Sequence, residues 1–257
     1  MRTVCLRRGE GTWRAVLYVF AALLFPLSAQ AAEIRVLTAG AFKSVLGAVV
    51  PEFEQRTGHH VLIENDTAGG VAQRIGRGER FDIAVLTPAT AAGPARDGRI
   101  TRVTPVAAVG IGVAAKADAP KPDISTVPAF KATLLGARSV AIIDPAAGGS
   151  SGIYLSKLFE TWGIADVMKP KLVLVPGGLA AERVANGEAE LALQQRSELI
   201  GVAGVVLVGM IPEEVQNTTV YVACLSPAAG EAAQSLLSAL TRPEMRRVLA
   251  EKGMTAP

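Results

Sequence analysis

The chain has 257 residues, 50% of them hydrophobic, with a formal net charge of +3 and a sequence pI near 9.0. The first 31 residues carry four arginines and one glutamate, which leaves 22 basic and 22 acidic side chains on the remaining 226 residues. This balance excludes a nucleic-acid partner held by bulk positive charge. The length suits one large domain or two lobes.

The N-terminal segment has the pattern of a secretory signal peptide. Four arginines flank or precede the apolar run from Ala15 to Phe25, and Pro26 ends that run. Ala29-Gln30-Ala31 has the small-x-small form of a signal-peptidase site, which predicts cleavage after Ala31. The run is shorter than the roughly 20 residues of a membrane span, and no cysteine stands near the cleavage site for a lipid anchor. We therefore expect a soluble periplasmic protein.

The cysteines and histidines predict neither a disulfide nor a metal site. Cys5 lies in the segment expected to be removed, which leaves Cys224 alone in the apolar run TVYVACL as a buried, inert thiol. His59 and His60 are adjacent in a turn, without the further His or Cys residues that zinc requires. We expect no metal and no cofactor.

The first half of the remaining chain alternates apolar strands with amphipathic helices. EIRVLTAG, HVLIEND and FDIAVLT predict strands, and AFKSVLGAVVPEFEQRTG and GGVAQRIGRGER predict helices. Pro51 lies inside the first helical pattern, which predicts a kink or a restart there, and Gly58 is the expected C-cap. The order strand–helix–strand–helix–strand indicates parallel strands joined by crossover helices.

The second half repeats this order. A strand at VGIGVAAK leads to a Pro-rich loop, a helix at TVPAFKATLLGA that Thr126 caps, and the strand SVAIIDP. Small residues, GGSS, then open the helix of GGSSGIYLSKLFETWGI. A strand, a helix and the strand ELALQQRSEL follow, then two strands in VVLVGMIPEEVQNTTVYVACLSP and two helical segments separated by Pro243. We expect lobe 1 at residues 32–105, lobe 2 at 106–223, and a return to lobe 1 at 224–257.

Four segments in this order resemble periplasmic solute-binding proteins of the molybdate-binding type. The stretch from VLTAGAFKSV to FDIAVLT resembles the family's first lobe, and IIDPAAGGSSGIYLSKLFETWGI, ANGEAELAL and LLSALTRPEMRRVLAEKGM resemble its later segments. The resemblance implies an α/β, two-lobed type II periplasmic-binding fold with a hinge and central cleft. It also implies a monomer with a membrane permease of the ABC type as partner.

Two departures from that family bear on the ligand. The first strand–helix junction reads TAGAF, without the family's serine, and QQR stands where the family has a tyrosine at the end of its GEAD strand. Arg196 in that position suits a carboxylate, which a guanidinium binds in bidentate fashion. The sequence therefore favours an organic carboxylate over a molybdate-type oxyanion.

Helix N-termini at the ends of strands form the predicted site. Free N–H groups and the helix dipole favour an anion there, although each junction taken alone is also an ordinary helix cap. Tyr154, one turn into its helix, either faces the cleft or packs against the lobe. We expect the ligand between Thr38, Ala39, Gly40, Ala41, Phe42, Thr67, Gly69, Gly70 and Thr87 on one lobe and Gly149, Ser150, Ser151, Gly152, Tyr154, Gln194, Gln195 and Arg196 on the other.

These features predict a periplasmic receptor that delivers a small anion to an ABC-type importer. The alternative is an enzyme, because an aconitate isomerase resembles the same branch of the fold and needs only a base and anion clamps. The sequence offers no Ser-His-Asp set, paired carboxylates or metal ligands that would decide between the two. The effector domain of a transcription regulator shares the fold, but the signal-peptide pattern stands where its helix-turn-helix would be.

Overall fold

A computed structural model describes residues 31–257 of the chain. The predicted signal peptide and Cys5 therefore lie outside the described residues, apart from Ala31. The segment from Ala32 to Pro257 is a compact unit of its own. Among the residues described, no helix combines the length and apolarity needed to cross a membrane.

The described residues form ten strands and ten α-helices. The first group is β1 (Glu33–Ala39), α1 (Gly40–Thr57), β2 (His60–Asp66), α2 (Ala68–Gly76), β3 (Ile83–Leu86), α3 (Pro88–Arg96) and β4 (Thr101–Val109). The second group is β5 (Ile111–Lys116), α4 (Val127–Gly136), β6 (Val140–Ile143), α5 (Ser150–Thr161), α6 (Ala165–Met168), β7 (Leu172–Val175), α7 (Ala180–Ala185), β8 (Leu191–Gln195), α8 (Arg196–Leu199) and β9 (Val205–Met210). The chain closes with β10 (Thr219–Leu225), α9 (Glu231–Leu240) and α10 (Met245–Glu251).

The strands form two five-stranded sheets with the same spatial arrangement but a different connectivity. The first sheet has the order β2-β1-β3-β10-β4, and the second has the order β7-β6-β8-β5-β9. Three strands of each sheet are parallel, β2, β1 and β3 in one and β7, β6 and β8 in the other. The remaining two are added by antiparallel pairing, through β10 and β5 respectively. The predicted two-lobed α/β fold is confirmed.

The crossings between the lobes differ from the expected boundaries. The boundaries predicted after residues 105 and 223 fall inside β4 and β10, and both of these strands belong to the first sheet. The crossings instead lie at Gly110 and at residues 211–218. The Gln216 side chain joins them, because its Oε1 accepts from the Ile111 N–H at 2.7 Å and its Nε2 donates to the Ile111 carbonyl at 3.0 Å.

Helices cover both faces of each sheet and bury separate cores. One side of the first sheet packs Phe42, Leu46 and Phe53 of α1 together with Leu236 of α9 and Leu249 of α10. The C-terminal helices therefore pack on the first lobe. The second lobe packs Phe130, Leu155 and Phe159 around Ile142 and Leu193, among others.

The predictions for Gly58, Thr126 and Cys224 hold in the structure, whereas the restart considered at Pro51 is not seen. Helix α1 runs through Pro51 without a restart, and Pro51 is exposed, so water can reach the carbonyl that the proline leaves unpaired. Gly58 ends that helix in the left-handed region at φ 72°. Thr126 caps α4. Cys224 is a buried free thiol, and burial raises its pKa to about 12.

Candidate functional site

A cleft lies between the ends of the parallel strands of the two sheets, where open α/β sheets bind ligands. The first lobe contributes the start of α1 and the β2–α2 junction, and the second contributes the start of α5, the loop before α7, and α8. The lining residues are Ala39, Gly40, Ala41, Asn65, Asp66, Thr67, Ala68, Ile143, Gly149, Ser150, Ser151, Gly177, Gly178, Glu198 and Tyr221.

Two of the helices that open into this cleft, α1 and α5, begin without a side-chain cap. Thr67, Thr87 and Thr126 cap α2, α3 and α4 through side-chain oxygens. By contrast, α1 and α5 begin at Ala39 and Gly149, and no side chain accepts a hydrogen bond from their first turns. Both starts line the cleft. Their first N–H groups lack partners within the helix and carry the positive end of the helix dipole, so each start offers donors to an anion.

A carboxyl group from the second lobe, Glu198 of α8, reaches the start of α1. One of its oxygens would lie 2.7 Å from a Cβ built on Gly40, so the backbone of Gly40 makes room for the acid. Burial raises the pKa of Glu198 from its ordinary value of 4.5 to about 8. This shift favours the protonated, uncharged form of the half-buried Glu198 at neutral pH.

Hydrogen bonds between hydroxyl and amide groups surround the same region. The Ser150 hydroxyl lies 3.3 Å from the Tyr221 hydroxyl on the opposite lobe, and it accepts from Gln195 Nε2 at 3.0 Å. Gln195 also donates to Thr219 Oγ1 at 3.0 Å, while its own Oε1 is buried without a partner. Burial and then the charge of Glu198 raise the pKa of Tyr221 above its ordinary range. Tyr221 is therefore a hydrogen-bond donor in this cleft, not a base.

The two lobes touch across the cleft. The Gly69 N–H donates to the Gly148 carbonyl at 3.1 Å, and the Thr67 hydroxyl donates to the Ala147 carbonyl. The space between the lobes is narrow, since about 30 Å³ of it can be occupied by the centre of a water molecule. On this measure one water needs about 10–15 Å³, so the cleft has room for more than one water molecule.

The structure does not place Arg196 in the lining of the cleft. The sequence placed Arg196 at the end of a strand, but β8 ends at Gln195 and Arg196 is the first residue of α8. Its exposed side chain lines a separate hollow on the protein surface with Gly110 and Gly253. Among the described residues, the cleft lining contains two acidic side chains, Asp66 and Glu198, and neither arginine nor lysine. The sequence-based reason for preferring a carboxylate therefore does not hold.

The other predicted residues divide into lining and supporting positions. Those that line the cleft are Ala39, Gly40, Ala41, Thr67, Gly149, Ser150 and Ser151. Those that lie outside it are Thr38, Phe42, Gly69, Gly70, Thr87, Gly152, Tyr154, Gln194, Gln195 and Arg196.

Several of the outside residues have clear structural roles. Tyr154 donates to the Val215 carbonyl at 2.7 Å and packs on the second core, which resolves its two readings in favour of packing. Gln194 holds the loop before α7, because it accepts from Ala180 N at 2.7 Å and donates to the Gly178 carbonyl at 2.9 Å. Thr87 belongs to a capping box with Thr90.

Sequence reasoning missed Glu198, Asp66 and Tyr221. Asp66 ends β2, and its Oδ1 accepts from the Thr67 N–H at 2.7 Å. Its carboxyl group occupies the space that a Cβ on Gly70 would need. The change from strand to helix within QQRSEL is the signal that would have placed Glu198, and not Arg196, in the cleft. Within the described residues, no group of His, Cys, Asp and Glu is arranged to hold a metal ion.

Comparison with known proteins agrees with this architecture. The chain is 32% identical over 231 residues to an aconitate isomerase from a Pseudomonas species, a match that covers 86% of this chain and 87% of that protein. Its fold is similar to the periplasmic molybdate-binding protein of Azotobacter vinelandii, with a TM-score of 0.73, 20% identity, and coverage of 87% of this chain and 99% of that one. The sulfate-binding protein of Mycobacterium tuberculosis gives a TM-score of 0.69 at 15% identity, with coverage of 87% and 86%.

The family described as bacterial extracellular solute-binding protein matches residues 34–255. This match spans both sheets and the C-terminal helices, and it confirms the resemblance to solute-binding proteins of the molybdate-binding type. The chain therefore belongs to the bacterial extracellular solute-binding protein family.

Proposed function

We propose that the cleft binds a small anion with several carboxylate groups and that the protein isomerises it, as an aconitate isomerase does. One observation supports an anionic ligand: the starts of α1 and α5, which have no side-chain cap, open from opposite lobes into one cleft. Two such starts can hold two anionic groups of one molecule. Each contributes about 0.3–1 kcal/mol at an exposed site and up to about 2 kcal/mol where the site is partly buried.

The chemistry of aconitate fits what this cleft offers. Aconitate is propene-1,2,3-tricarboxylate, and its double bond moves when a proton leaves the methylene carbon and another is added at the far alkene carbon. The product is again aconitate, with cis or trans geometry, so no oxidant, metal or second substrate enters the balance. Fixed donors facing the carboxylates stabilise the negative charge that develops in such a step.

Two further facts support the isomerase. The similar protein from Pseudomonas is an aconitate isomerase, and the match covers most of both chains. The cleft also holds an ionisable carboxyl group, Glu198, which binding of an anion by itself does not require.

A receptor that feeds an ABC-type importer is the second candidate, and membership of the solute-binding family favours it. Receptor and isomerase share the same ligand class and the same closing cleft. The two differ in whether the bound molecule leaves unchanged.

Incubation of purified protein with cis-aconitate tests the proposal. We expect conversion to a mixture of cis and trans isomers, measured by liquid chromatography, from either starting isomer. A thermal-shift screen in parallel should show stabilisation by tricarboxylates, because a ligand that binds only the folded state raises the melting temperature. Stabilisation without conversion would support the receptor. Stabilisation by molybdate or sulfate alone would overturn the carboxylate assignment.

Gly69→Ala tests whether the observed contact between the lobes belongs to the ligand-bound state. A Cβ on Gly69 would lie 2.8 Å from the Gly148 Cα on the other lobe, so closure would be held several tenths of an ångström short. Overpacking of this size costs about 1–3 kcal/mol, so we expect the affinity for cis-aconitate to fall about tenfold.

Isothermal titration calorimetry of Gly69→Ala measures this affinity. Gly136→Ala is the control, because no atom of the protein lies within 4 Å of a Cβ at that exposed position. Unchanged affinity in Gly69→Ala would mean that ligand binding does not bring these two glycines together.

We also propose that residues 1–31 direct export and are removed, and that the mature protein acts as a periplasmic monomer. The support is the signal-peptide pattern of the sequence and the extracellular character of the family.

A further inference from the structure

The geometry points to Glu198 as the catalytic residue that moves the proton during isomerisation; this inference rests on the proposed function. Its carboxyl group enters the cleft from α8 and meets the start of α1 at Gly40, on the opposite lobe. Closure of the lobes therefore brings an acid–base group to one of the two anion-binding helix starts. A substrate held there by its carboxylates places its carbon skeleton beside this group.

The other ionisable groups that line the cleft are less suited to the step. Asp66 already accepts a hydrogen bond from the Thr67 N–H at 2.7 Å. Tyr221 shares a hydrogen bond with the Ser150 hydroxyl at 3.3 Å, and its raised pKa disfavours the phenolate. Within the described residues, Glu198 takes part in no ion pair with lysine or arginine. Its carboxylate form is therefore not held by a cation.

The proton shift can be written with one carboxyl group. The carboxylate of Glu198 takes a proton from the methylene carbon, and the electron pair of that C–H bond becomes the new carbon–carbon double bond. The electron pair of the old double bond takes a proton from the Glu198 carboxylic acid at the far alkene carbon. Glu198 returns to the carboxylate, and no atom is gained or lost. One atom separates the methylene carbon from the far alkene carbon, so the two oxygens of one carboxyl group can reach both carbons.

The pH dependence follows from which form of Glu198 acts. Only the carboxylate removes a proton, so kcat/KM should rise with pH, reach half its maximum near the pKa of the free group, about 8, and level off above that pH. The protonated form repels a tricarboxylate less, so the affinity for the unreactive propane-1,2,3-tricarboxylate should fall over the same range. The titratable groups that line the cleft with Glu198 are Asp66 and Tyr221. Lys43 of α1 and Glu182 of α7 are exposed residues of helices packed against α8, and Arg196 is an exposed residue of α8 itself.

Glu198→Gln in the full-length protein is the test, with Glu160→Gln as a matched control on the exposed end of α5. General acid–base catalysis contributes about 10²–10⁴-fold, so we expect Glu198→Gln to lose at least about 100-fold in kcat for cis-aconitate. Its affinity for propane-1,2,3-tricarboxylate should stay within a few-fold of wild type. Glu160→Gln should match wild type in both measurements.

Glu198→Asp keeps the carboxyl group but withdraws it by one methylene, and we expect it to retain more turnover than Glu198→Gln. Thermal unfolding of each variant checks that it is folded. An active wild type together with a Glu198→Gln variant within tenfold of it would overturn the role of Glu198 and leave the isomerase in place. A wild type that binds tricarboxylates but converts none would overturn the isomerase, and the role of Glu198 with it.

Discussion

Gly152→Ala is expected to destabilise the protein by about 3 kcal/mol, at the upper end of the range for overpacked sites. A Cβ on Gly152 would lie 1.9 Å from the Ile143 carbonyl oxygen and 2.8 Å from the carbonyl carbon. Both atoms belong to the backbone at the end of β6, which is hydrogen-bonded to strands on either side. Neither a rotamer change nor a small shift can relieve the contact, so α5 must move away from the sheet.

Urea unfolding followed by circular dichroism measures the effect, as a lower midpoint with an unchanged m-value. Gly136→Ala is the control, because Gly136 is an exposed residue at the end of α4 with open space at its Cβ. That substitution should leave stability unchanged or raise it by up to about 1 kcal/mol. Equal urea midpoints for the two variants would show that α5 can move away from β6 without a loss of stability.

Glu198→Gln is expected to stabilise the protein at alkaline pH and to have little effect at pH 4. Burial raises the pKa of Glu198 from 4.5 to about 8 in the folded state. Between these values the unfolded chain loses the proton while the folded protein keeps it, so stability falls as pH rises and levels off above about 8. Linkage of 1.36 kcal/mol per pH unit sets an upper limit of about 5 kcal/mol on this loss.

Glutamine does not ionise, so the variant avoids that loss. The difference in unfolding free energy between Glu198→Gln and wild type should grow steadily from pH 5 to pH 8. Urea titrations at pH 5, 6.5 and 8 measure it, and the exposed Glu160→Gln should show no such trend. A difference independent of pH would contradict a raised pKa for Glu198. A gain in stability alongside a loss of turnover would mark Glu198 as a residue kept for function.

The strands and long helices could be predicted from the sequence because their apolar periodicity is local. The assignment of β4 and β10 to the first sheet could not, since it depends on antiparallel pairing between segments more than 100 residues apart. The apolar sequence of Val106–Val109 fits the start of the second lobe as well as the end of the first. Only the antiparallel pairing of β4 with β10 decides between them.

The site shows the same limit at the scale of single residues. The small residues before α1 and α5 could be predicted to open helices at the cleft, because a strand followed by small residues and a helix is an informative sequence pattern. The end of β8 in QQRSEL could not be predicted in the same way. If the strand is extended by one residue to Arg196, that side chain points inward. A helix that starts at Arg196 turns that side chain outward and brings Glu198 to the cleft. The two assignments differ by one residue in the position where β8 ends. One places a positive side chain in the site, and the other places an acidic one there.

The position of β10 between β3 and β4 has a consequence for the order in which the two lobes can form. The second sheet is built from one continuous segment, residues 111–210, and can form as soon as that segment is available. The first sheet cannot be completed until Thr219–Leu225 has been made, because β3 and β4 have no partner on their facing sides without it. A chain that extends only as far as β9 therefore carries an unfinished first lobe with two open strand edges, which are prone to pairing with other chains. Strand β10 is the piece that closes the first sheet after the second sheet can already have formed.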